Sequence, residues 1–326
     1  MKSFVNREAA LVDSAMRRDL DEALAGCDPL LGEVLEYALL GGGKRIRPLL
    51  TILASHLCGR KDESLYRLAT AFEYLHAATL VHDDVIDNAA ARRGKPSTVE
   101  KFGREAAILA GDWLHARSMY LVARHAGVAG LDVFCRCTMG MVDGEFLQLR
   151  FAADPDVSDD QYFSVIHRKT ALLIGSTCEI GAVYAEATAE QRRALAGYGE
   201  AIGCAFQIVD DLLDYQGEAR NTGKKVGNDF AEGKMTLPLI RALATAGGKD
   251  REEMAALLAG DRDDPAALDR FIGLVARNDG FLSARETAER YAREAVSSLN
   301  VFEGEGDSEC LGILRELAGY VLDRKK

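Results

Sequence analysis

The chain has 326 residues, of which 48% are hydrophobic and 28% charged, with six prolines and a formal net charge of −11. This length allows one large domain or two of average size, and the scarcity of proline favours helices, because proline removes a backbone donor. The negative charge argues against a general nucleic-acid binder, which needs a basic face for phosphates.

Apolar residues recur at helical spacing along almost the whole chain, and no run alternates as a half-buried strand does. The spacing predicts helices over residues 3–25, 29–40, 47–58, 62–86, 104–126, 128–149, 158–186, 188–215, 234–246, 249–259, 264–279, 281–302 and 308–323. Breaks are expected at 41–43, 88–97, around 154–155, at 217–233 and around 304–306. None of these breaks resembles an interdomain linker, so we expect an all-α fold with a single domain over residues 1–326.

The cysteines and the apolar segments bear on location. Seven cysteines are scattered without a CxxC pair, which fits reduced core thiols better than disulfides or zinc ligands. The N-terminus is amphipathic and lacks the apolar core of a signal peptide, and no run reaches the ~18–20 apolar residues of a membrane span. We therefore expect a soluble, cytoplasmic protein without an integral membrane span.

Two aspartate clusters end two of the predicted helices, DDVID from Asp83 to Asp87 and DDLLD from Asp210 to Asp214. Positions i and i+4 of a helix share a face, with i+1 beside them, and like charges at this spacing destabilise the helix. A lone cluster also fits a solvated helix end, but two matched clusters in apolar helices favour a hard cation such as Mg²⁺, held between them. The candidate metal ligands are Asp83, Asp84, Asp87, Asp210, Asp211 and Asp214.

Basic residues recur near both clusters. The turn GGGKRIRP at 41–48 combines three glycines with three cations, and bare amides there can bind phosphate oxygens. It is not a P-loop, because Arg45 rather than Ser or Thr follows Lys44. Further basic groups lie at 92–95, 167–169, 224–225 and 234. Each alone could be a surface charge, but together they fit a polyphosphate bridged by Mg²⁺ to carboxylates and held by Lys and Arg.

Seven motifs in this order resemble the trans-prenyltransferase, or polyprenyl diphosphate synthase, family. They are GGGKRIRP, LVHDDVIDNAAARRGKPS, GDWL, GEFLQL, HRKTA, AFQIVDDLLDY and TGKKVGNDFAEGKMTLP, and they cover residues 41–238. The resemblance implies an isoprenoid-synthase fold, a single helical bundle around a deep central cavity. It also implies a homodimer and three Mg²⁺ ions, with Mn²⁺ as a substitute.

Carried over residue by residue, the resemblance implies two diphosphate sites. The allylic diphosphate would be bound through Mg²⁺ by Asp83, Asp84, Asp87 and Asp210, and more indirectly by Asp211 and Asp214. The same diphosphate would be contacted directly by Arg92, Lys169, Lys224 and Lys234. Isopentenyl diphosphate would be held by Gly43, Lys44, Arg47, His76 and Arg93. Thr170 and Gln207 would lie near the reacting allylic carbon, and Asp229 would orient Lys224 or a metal-bound water.

The implied reaction joins isopentenyl diphosphate head to tail to an allylic diphosphate by ionisation, condensation and proton elimination. Ala78 lies five residues before Asp83, about 7.5 Å along the helix axis. Small residues at Ala78 and Thr79 resemble long-chain members of the family, such as octaprenyl diphosphate synthases, where short-chain members carry bulky aromatics. We expect an all-trans product of about C30–C50 from farnesyl or geranylgeranyl diphosphate, with a deeper floor at Met119, Tyr120 or Val122.

Two other functions share parts of this pattern. A class-I terpene cyclase has the same fold and the first acidic motif, but the second cluster and the basic residues Lys44, Arg47 and Arg93 argue against it. A non-catalytic subunit of a heteromeric synthase would lack one or both aspartate clusters, and this chain has both.

Overall fold

Helices make up nearly all of the regular structure, as the apolar spacing predicts. The computed structural model of the protein describes residues 2–92, 94–216 and 226–324. Its α-helices are α1 Lys2–Ala23, α2 Pro29–Leu39, α3 Ile46–Leu57, α4 Ser64–Ile86, α5 Thr98–Phe102, α6 Arg104–Arg150, α7 Asp159–Ile166, α8 Leu172–Tyr184, α9 Ala189–Gln216, α10 Asn228–Ala231, α11 Leu237–Thr245, α12 Gly248–Ala259, α13 Pro265–Arg277, α14 Gly280–Ser298 and α15 Ser308–Leu322. The predicted all-α fold class is confirmed.

Short features depart from the predicted helix ranges. Helix α6 continues to Arg150 across a kink at Gly127, which has φ 64° and ψ −161° and lies between the two helices predicted over 104–126 and 128–149. The expected loop 88–97 contains strands β1 Ala91–Arg92 and β2 Lys95–Pro96, which pair antiparallel. The predicted helix 158–186 contains a π-helical turn, His167–Ala171, between α7 and α8, and a 3₁₀ turn, Leu299–Phe302, follows α14. Such features escape apolar spacing because each involves too few residues to establish a period.

The chain forms two compact units, of which unit 1 comprises Met1–Arg136, Ser176–Ala196 and Val301–Ile313. Helices α1, α2 and α3 pack against α4 in this unit. The buried Asp19 of α1 accepts hydrogen bonds from Arg117 and from the Tyr74 hydroxyl of α4. These contacts hold α4, which carries the first aspartate cluster.

Unit 2 comprises Cys137–Gly175, Gly197–Asn300 and Leu314–Lys326. Its core includes Tyr162, Ile166 and Ile208, which pack around the π-helical turn and α9. A second core cluster of unit 2 contains Phe230 and Phe271 together with other buried side chains of α11, α12 and α13. Unit 2 therefore carries the second aspartate cluster, and the single domain over residues 1–326 stays a prediction.

The cysteines differ in burial, and Cys27 is exposed although the sequence predicts core thiols. All seven cysteines are free thiols. The buried ones are Cys137, Cys178, Cys204 and Cys310. Across the described ranges, no helix combines the length and apolarity needed to cross a bilayer.

Candidate active site

The second aspartate cluster lies in a cavity of unit 2 with a volume of about 380 Å³. Asp210 is exposed, Asp214 half-buried and Asp211 only 4% exposed. Polar residues lining this cavity are Gln148, Lys169, Thr170, Gln207, Asp210, Asp211, Asp214, Asn228, Asp229, Lys234, Thr236 and Arg324. The structure thus brings together the predicted residues of the second half of the chain, apart from Lys224, which lies outside the described residues.

The π-helical turn presents Lys169 and Thr170 to this cavity. Two glycines let neighbouring helices approach the turn: a Cβ on Gly144 would lie 2.8 Å from the Lys169 backbone nitrogen, and one on Gly203 would lie 2.6 Å from the Ala171 Cα. Such contacts are too short for any side chain to be accommodated without movement. Because π-helical turns occur frequently at functional sites, this local geometry supports the roles assigned to Lys169 and Thr170.

A chain of hydrogen bonds connects Thr170 to the buried Asp211. The Thr170 hydroxyl donates to Gln207 Oε1 over 2.9 Å, and Gln207 Nε2 donates to Asp211 Oδ1 over 2.9 Å. The Tyr162 hydroxyl donates to the other oxygen, Asp211 Oδ2, over 2.7 Å. Both oxygens of Asp211 thus accept a hydrogen bond, one from Gln207 and one from Tyr162. The bond to Asp211 fixes the orientation of the Gln207 amide, whose oxygen in turn orients the Thr170 hydroxyl.

The carboxylates of the cavity perturb one another strongly. Burial raises the pKa of Asp211 to about 8, with a further contribution from the negative charge of Asp229. Burial and the same neighbour raise the pKa of Asp214 to about 6, and burial also raises the pKa of Asp229. Burial and a neighbouring negative charge both oppose the ionisation of a carboxyl group, so a bound cation would favour the charged form of these three acids.

Three basic side chains line the same cavity. Lys234 lies 3.4 Å from Asp229 and 2.5 Å from Glu232; burial alone would lower its pKa, but the charge of Asp229 raises it. Lys169 is held 2.7 Å from Glu145 of α6. These ion pairs place two ammonium groups beside carboxylates at the cavity.

Arg324 is the third basic side chain, and the sequence does not reveal its position. Its guanidinium lies 3.7 Å from Asp210 and stacks over the Phe206 ring at 4.0 Å. The motifs end before residue 239, so the last helices are predicted only as packing elements. Only tertiary structure brings this residue beside the second cluster.

The first aspartate cluster lies at the end of α4 in unit 1. Asp84 is 2% exposed, and one of its oxygens accepts hydrogen bonds from Arg92 Nε at 2.8 Å and Nη2 at 2.7 Å. Asp83 is half-buried and Asp87 exposed. Arg92, predicted to bind diphosphate, is therefore held at this cluster by Asp84.

The glycine-rich turn and His76 also belong to unit 1. Gly43 and Lys44 are exposed, and Arg47 and His76 are half-buried. Arg93 lies outside the part of the chain that the structure describes. That the two clusters serve one substrate stays a prediction.

The donor atoms of the second cluster fit a magnesium ion. Its carboxylates supply oxygen ligands only, and burial, the main cause of their raised pKa values, would be offset by a bound cation. Among the described residues, no three Asp, Glu, His or Cys side chains form a ready-made cation cage. Mg²⁺ sites commonly use one or two carboxylates and complete the shell with water and substrate phosphates, so the cluster fits an ion that arrives with a diphosphate.

A family model for polyprenyl synthetase matches residues 28–275. The chain belongs to the polyprenyl synthetase family. It is a prenyltransferase, as the motifs predict. Octaprenyl diphosphate synthase of Haemophilus influenzae is 35% identical to it over 302 residues, 91% of this chain and 89% of that protein.

Solved structures of polyprenyl synthetases agree with this assignment. A decaprenyl diphosphate synthase from Rhodobacter capsulatus superposes with a TM-score of 0.89 at 32% identity, covering 99% of this chain and 98% of that one. A polyprenyl synthase from Caulobacter crescentus, complexed with calcium and isoprenyl diphosphate, has a TM-score of 0.83 at 32% identity, covering 97% of this chain and 98% of that one. The family resemblance and the isoprenoid-synthase type of all-α fold are confirmed.

Tyr162 offers a test of the hydrogen-bond chain. In Tyr162→Phe, Asp211 Oδ2 loses its donor and no longer holds Gln207 firmly, so we expect kcat for prenyl transfer to fall about tenfold, the effect of one lost hydrogen bond. Tyr215→Phe is the matched control, because Tyr215 is also buried but its hydroxyl accepts from Thr236. Equal kcat values for the two variants in steady-state assays would contradict this role.

Proposed function

We propose that this chain condenses isopentenyl diphosphate head to tail with farnesyl or geranylgeranyl diphosphate, to make an all-trans polyprenyl diphosphate of about C30–C50. The observation that carries the proposal is the hydrogen-bonded row of Thr170, Gln207 and Asp211 in one cavity with Lys169 and Lys234. Polar oxygens next to basic side chains suit a substrate that separates into a carbocation and a diphosphate anion.

Basic side chains bind the leaving group, and polar side chains face the carbocation. Lys169 and Lys234, with Arg92 and Lys224, bind the diphosphate oxygens as the allylic C–O bond breaks, so that positive charge lies where negative charge develops. Bound Mg²⁺ adds electrostatic stabilisation of the same leaving group. We propose that Asp83, Asp84, Asp87, Asp210, Asp211 and Asp214 hold it, directly or through water.

Thr170 and Gln207 act on the allylic carbon. Because the Thr170 hydroxyl donates its hydrogen to Gln207 Oε1, its remaining capacity is that of a lone-pair acceptor. Such an oxygen stabilises a nearby carbocation, whereas a hydroxyl hydrogen aimed at the carbon would repel it. The homoallylic double bond of isopentenyl diphosphate then forms the new C–C bond, and a proton passes to the released diphosphate.

Isopentenyl diphosphate would be bound in unit 1 by Gly43, Lys44, Arg47 and His76, together with Arg93. Lys44 lies on the exposed glycine-rich turn, and Arg47 lies in the first turn of α3. His76 lies on α4, two turns before the first aspartate cluster. This set of donors suits the second diphosphate of the reaction.

The purified chain tests the reaction and its metal requirement together. With isopentenyl and farnesyl diphosphates we expect turnover by the single chain, abolished by EDTA and restored by Mg²⁺ or Mn²⁺. Asp210→Asn should raise the Mg²⁺ concentration needed for half-maximal rate about tenfold or more, because a charged ligand is lost, whereas Asp132→Asn on the surface of α6 should not.

The outcomes separate the alternatives. A cyclic hydrocarbon product would indicate a terpene cyclase, and turnover only after addition of a second protein would indicate a subunit of a heteromeric enzyme. Turnover that survives EDTA would contradict the metal-dependent mechanism.

Product length depends on the space beside α4. Ala78 is 2% exposed, so its methyl group packs against other residues. In Ala78→Tyr we expect the product from farnesyl diphosphate to shorten towards C20, because the ring would occupy the proposed path of the growing chain. Ala10→Tyr is the control, since Ala10 is exposed on α1, and its product should keep the wild-type length.

Liquid chromatography and mass spectrometry of the dephosphorylated polyprenols measure this length. Circular dichroism of both variants checks that they fold. A wild-type product that stops at C15–C20 would reject the long-chain assignment, and an Ala78→Tyr product of unchanged length would reject this position as a determinant.

The proposed homodimer has a candidate surface on α6. In unit 2, Met139, Val142, Phe146 and Leu149 recur at helical spacing, and each is between 58% and 66% exposed. A row of large apolar side chains on one exposed helix face is typical of a surface that another protein covers. A second copy of this chain is the proposed occupant, as the family resemblance implies.

Phe146→Glu should convert the dimer to a monomer, because a charge would be buried in the apolar contact. Light scattering after size-exclusion chromatography measures the mass. Leu282→Glu is the control, since Leu282 is 59% exposed but lies on α14. A monomeric wild-type chain, or a Phe146→Glu variant that remains dimeric, would contradict the assignment.

A further inference from the structure

Arg45 lies between two proposed substrate-binding residues but points away from solvent. The sequence GGGKRIRP places it between Lys44 and Arg47, and all three cations appear equally available for an anion. In the structure Lys44 is exposed, whereas Arg45 is 5% exposed. The turn therefore contains one buried cation with partners inside unit 1.

The Arg45 guanidinium joins three helices. Nε donates to Asp13 Oδ1 of α1 over 2.8 Å, Nη1 donates to Glu73 Oε1 of α4 over 2.5 Å, and Nη2 donates to the Leu39 carbonyl at the end of α2 over 3.1 Å. Glu73 is itself buried, while Asp13 is about half exposed. A buried guanidinium needs charged and polar acceptors of this kind, because an unpaired buried charge is strongly destabilising.

The backbone of Arg45 is unusual as well. Its φ is 50°, in the left-handed region, and it immediately precedes α3, with its carbonyl accepting a hydrogen bond from the Leu49 amide. Residues other than glycine seldom adopt this conformation. The ion pairs therefore hold a turn with three preceding glycines, which would otherwise sample many conformations, in one arrangement.

We propose that Arg45 and Glu73 are positioning residues for isopentenyl diphosphate. They fix the backbone that carries Lys44 and Arg47 against α4, where His76 follows Glu73 by one helical turn. One buried ion pair thus sets the spacing between the cations of the turn and His76. This inference rests on the proposed function, in which Lys44, Arg47 and His76 bind that substrate.

Glu73→Gln provides the central test, because it keeps the size of the side chain and removes only its charge. We expect KM for isopentenyl diphosphate to rise about tenfold, with kcat and KM for the allylic diphosphate changed less than about twofold. Asp13→Asn should raise the same KM about threefold, since the half-exposed Asp13 is partly replaced by water. Arg45→Lys keeps the charge but loses the planar set of donors. Its KM for isopentenyl diphosphate should therefore lie between the values for wild type and for Arg45→Met.

Glu22→Gln is the matched control. Glu22 forms an exposed pair with Arg67 of α4 at 2.7 Å, so its loss should leave both KM values unchanged. Hydrogen exchange of the amides of residues 41–47 gives a second measurement, independent of turnover. Exchange should be faster in Glu73→Gln than in wild type and unaltered in Glu22→Gln.

The results distinguish this inference from the function on which it rests. A wild-type chain that does not consume isopentenyl diphosphate overturns the proposed function and this inference with it. In an active wild-type background, an unchanged KM for isopentenyl diphosphate in Glu73→Gln overturns the positioning role alone. Equal rises in KM for isopentenyl diphosphate and for the allylic diphosphate, or unaltered exchange over residues 41–47, would also overturn the positioning role. Arg45 would then only stabilise the fold.

Discussion

The crowding of partly buried carboxylates in one cavity is the constraint on which the rest of unit 2 depends. Asp211, Asp214 and Asp229 all have raised pKa values because burial and mutual repulsion oppose their ionisation. Such an arrangement lowers stability unless cations or hydrogen-bond donors balance it. Tyr162 and Lys234 supply part of that balance in the protein itself, and a cation-bound diphosphate would supply the remainder.

In unit 1, buried charged side chains form ion pairs. Asp84 is paired with Arg92, and Arg45 with Glu73 and Asp13, so charge is balanced locally. Unit 2 contains ion pairs as well, such as Lys169 with Glu145, whereas its buried Asp211 accepts hydrogen bonds from the neutral groups of Tyr162 and Gln207.

Much of the fold and of the site follows from the sequence, because both depend on spacing along helices. The apolar period predicts most helix ends within two or three residues, and the break at Gly127. The i, i+4 spacing identifies both aspartate clusters. Spacing does not reveal which way a side chain points once helices pack, so the inward turn of Arg45, the contact of Tyr162 with Asp211 and the position of Arg324 near Asp210 required tertiary structure.

The π-helical turn limits the insertions and deletions that this part of the chain can tolerate. The turn contains one more residue than an α-helical path would use, and that extra residue sets the angular phase of Lys169 and Thr170 relative to α9. Loss of a single residue between the Ser158 cap and Ala171 would rotate the following side chains by about 100°. Insertions and deletions should therefore be rarer here than in any neighbouring stretch, whichever amino acids occupy it.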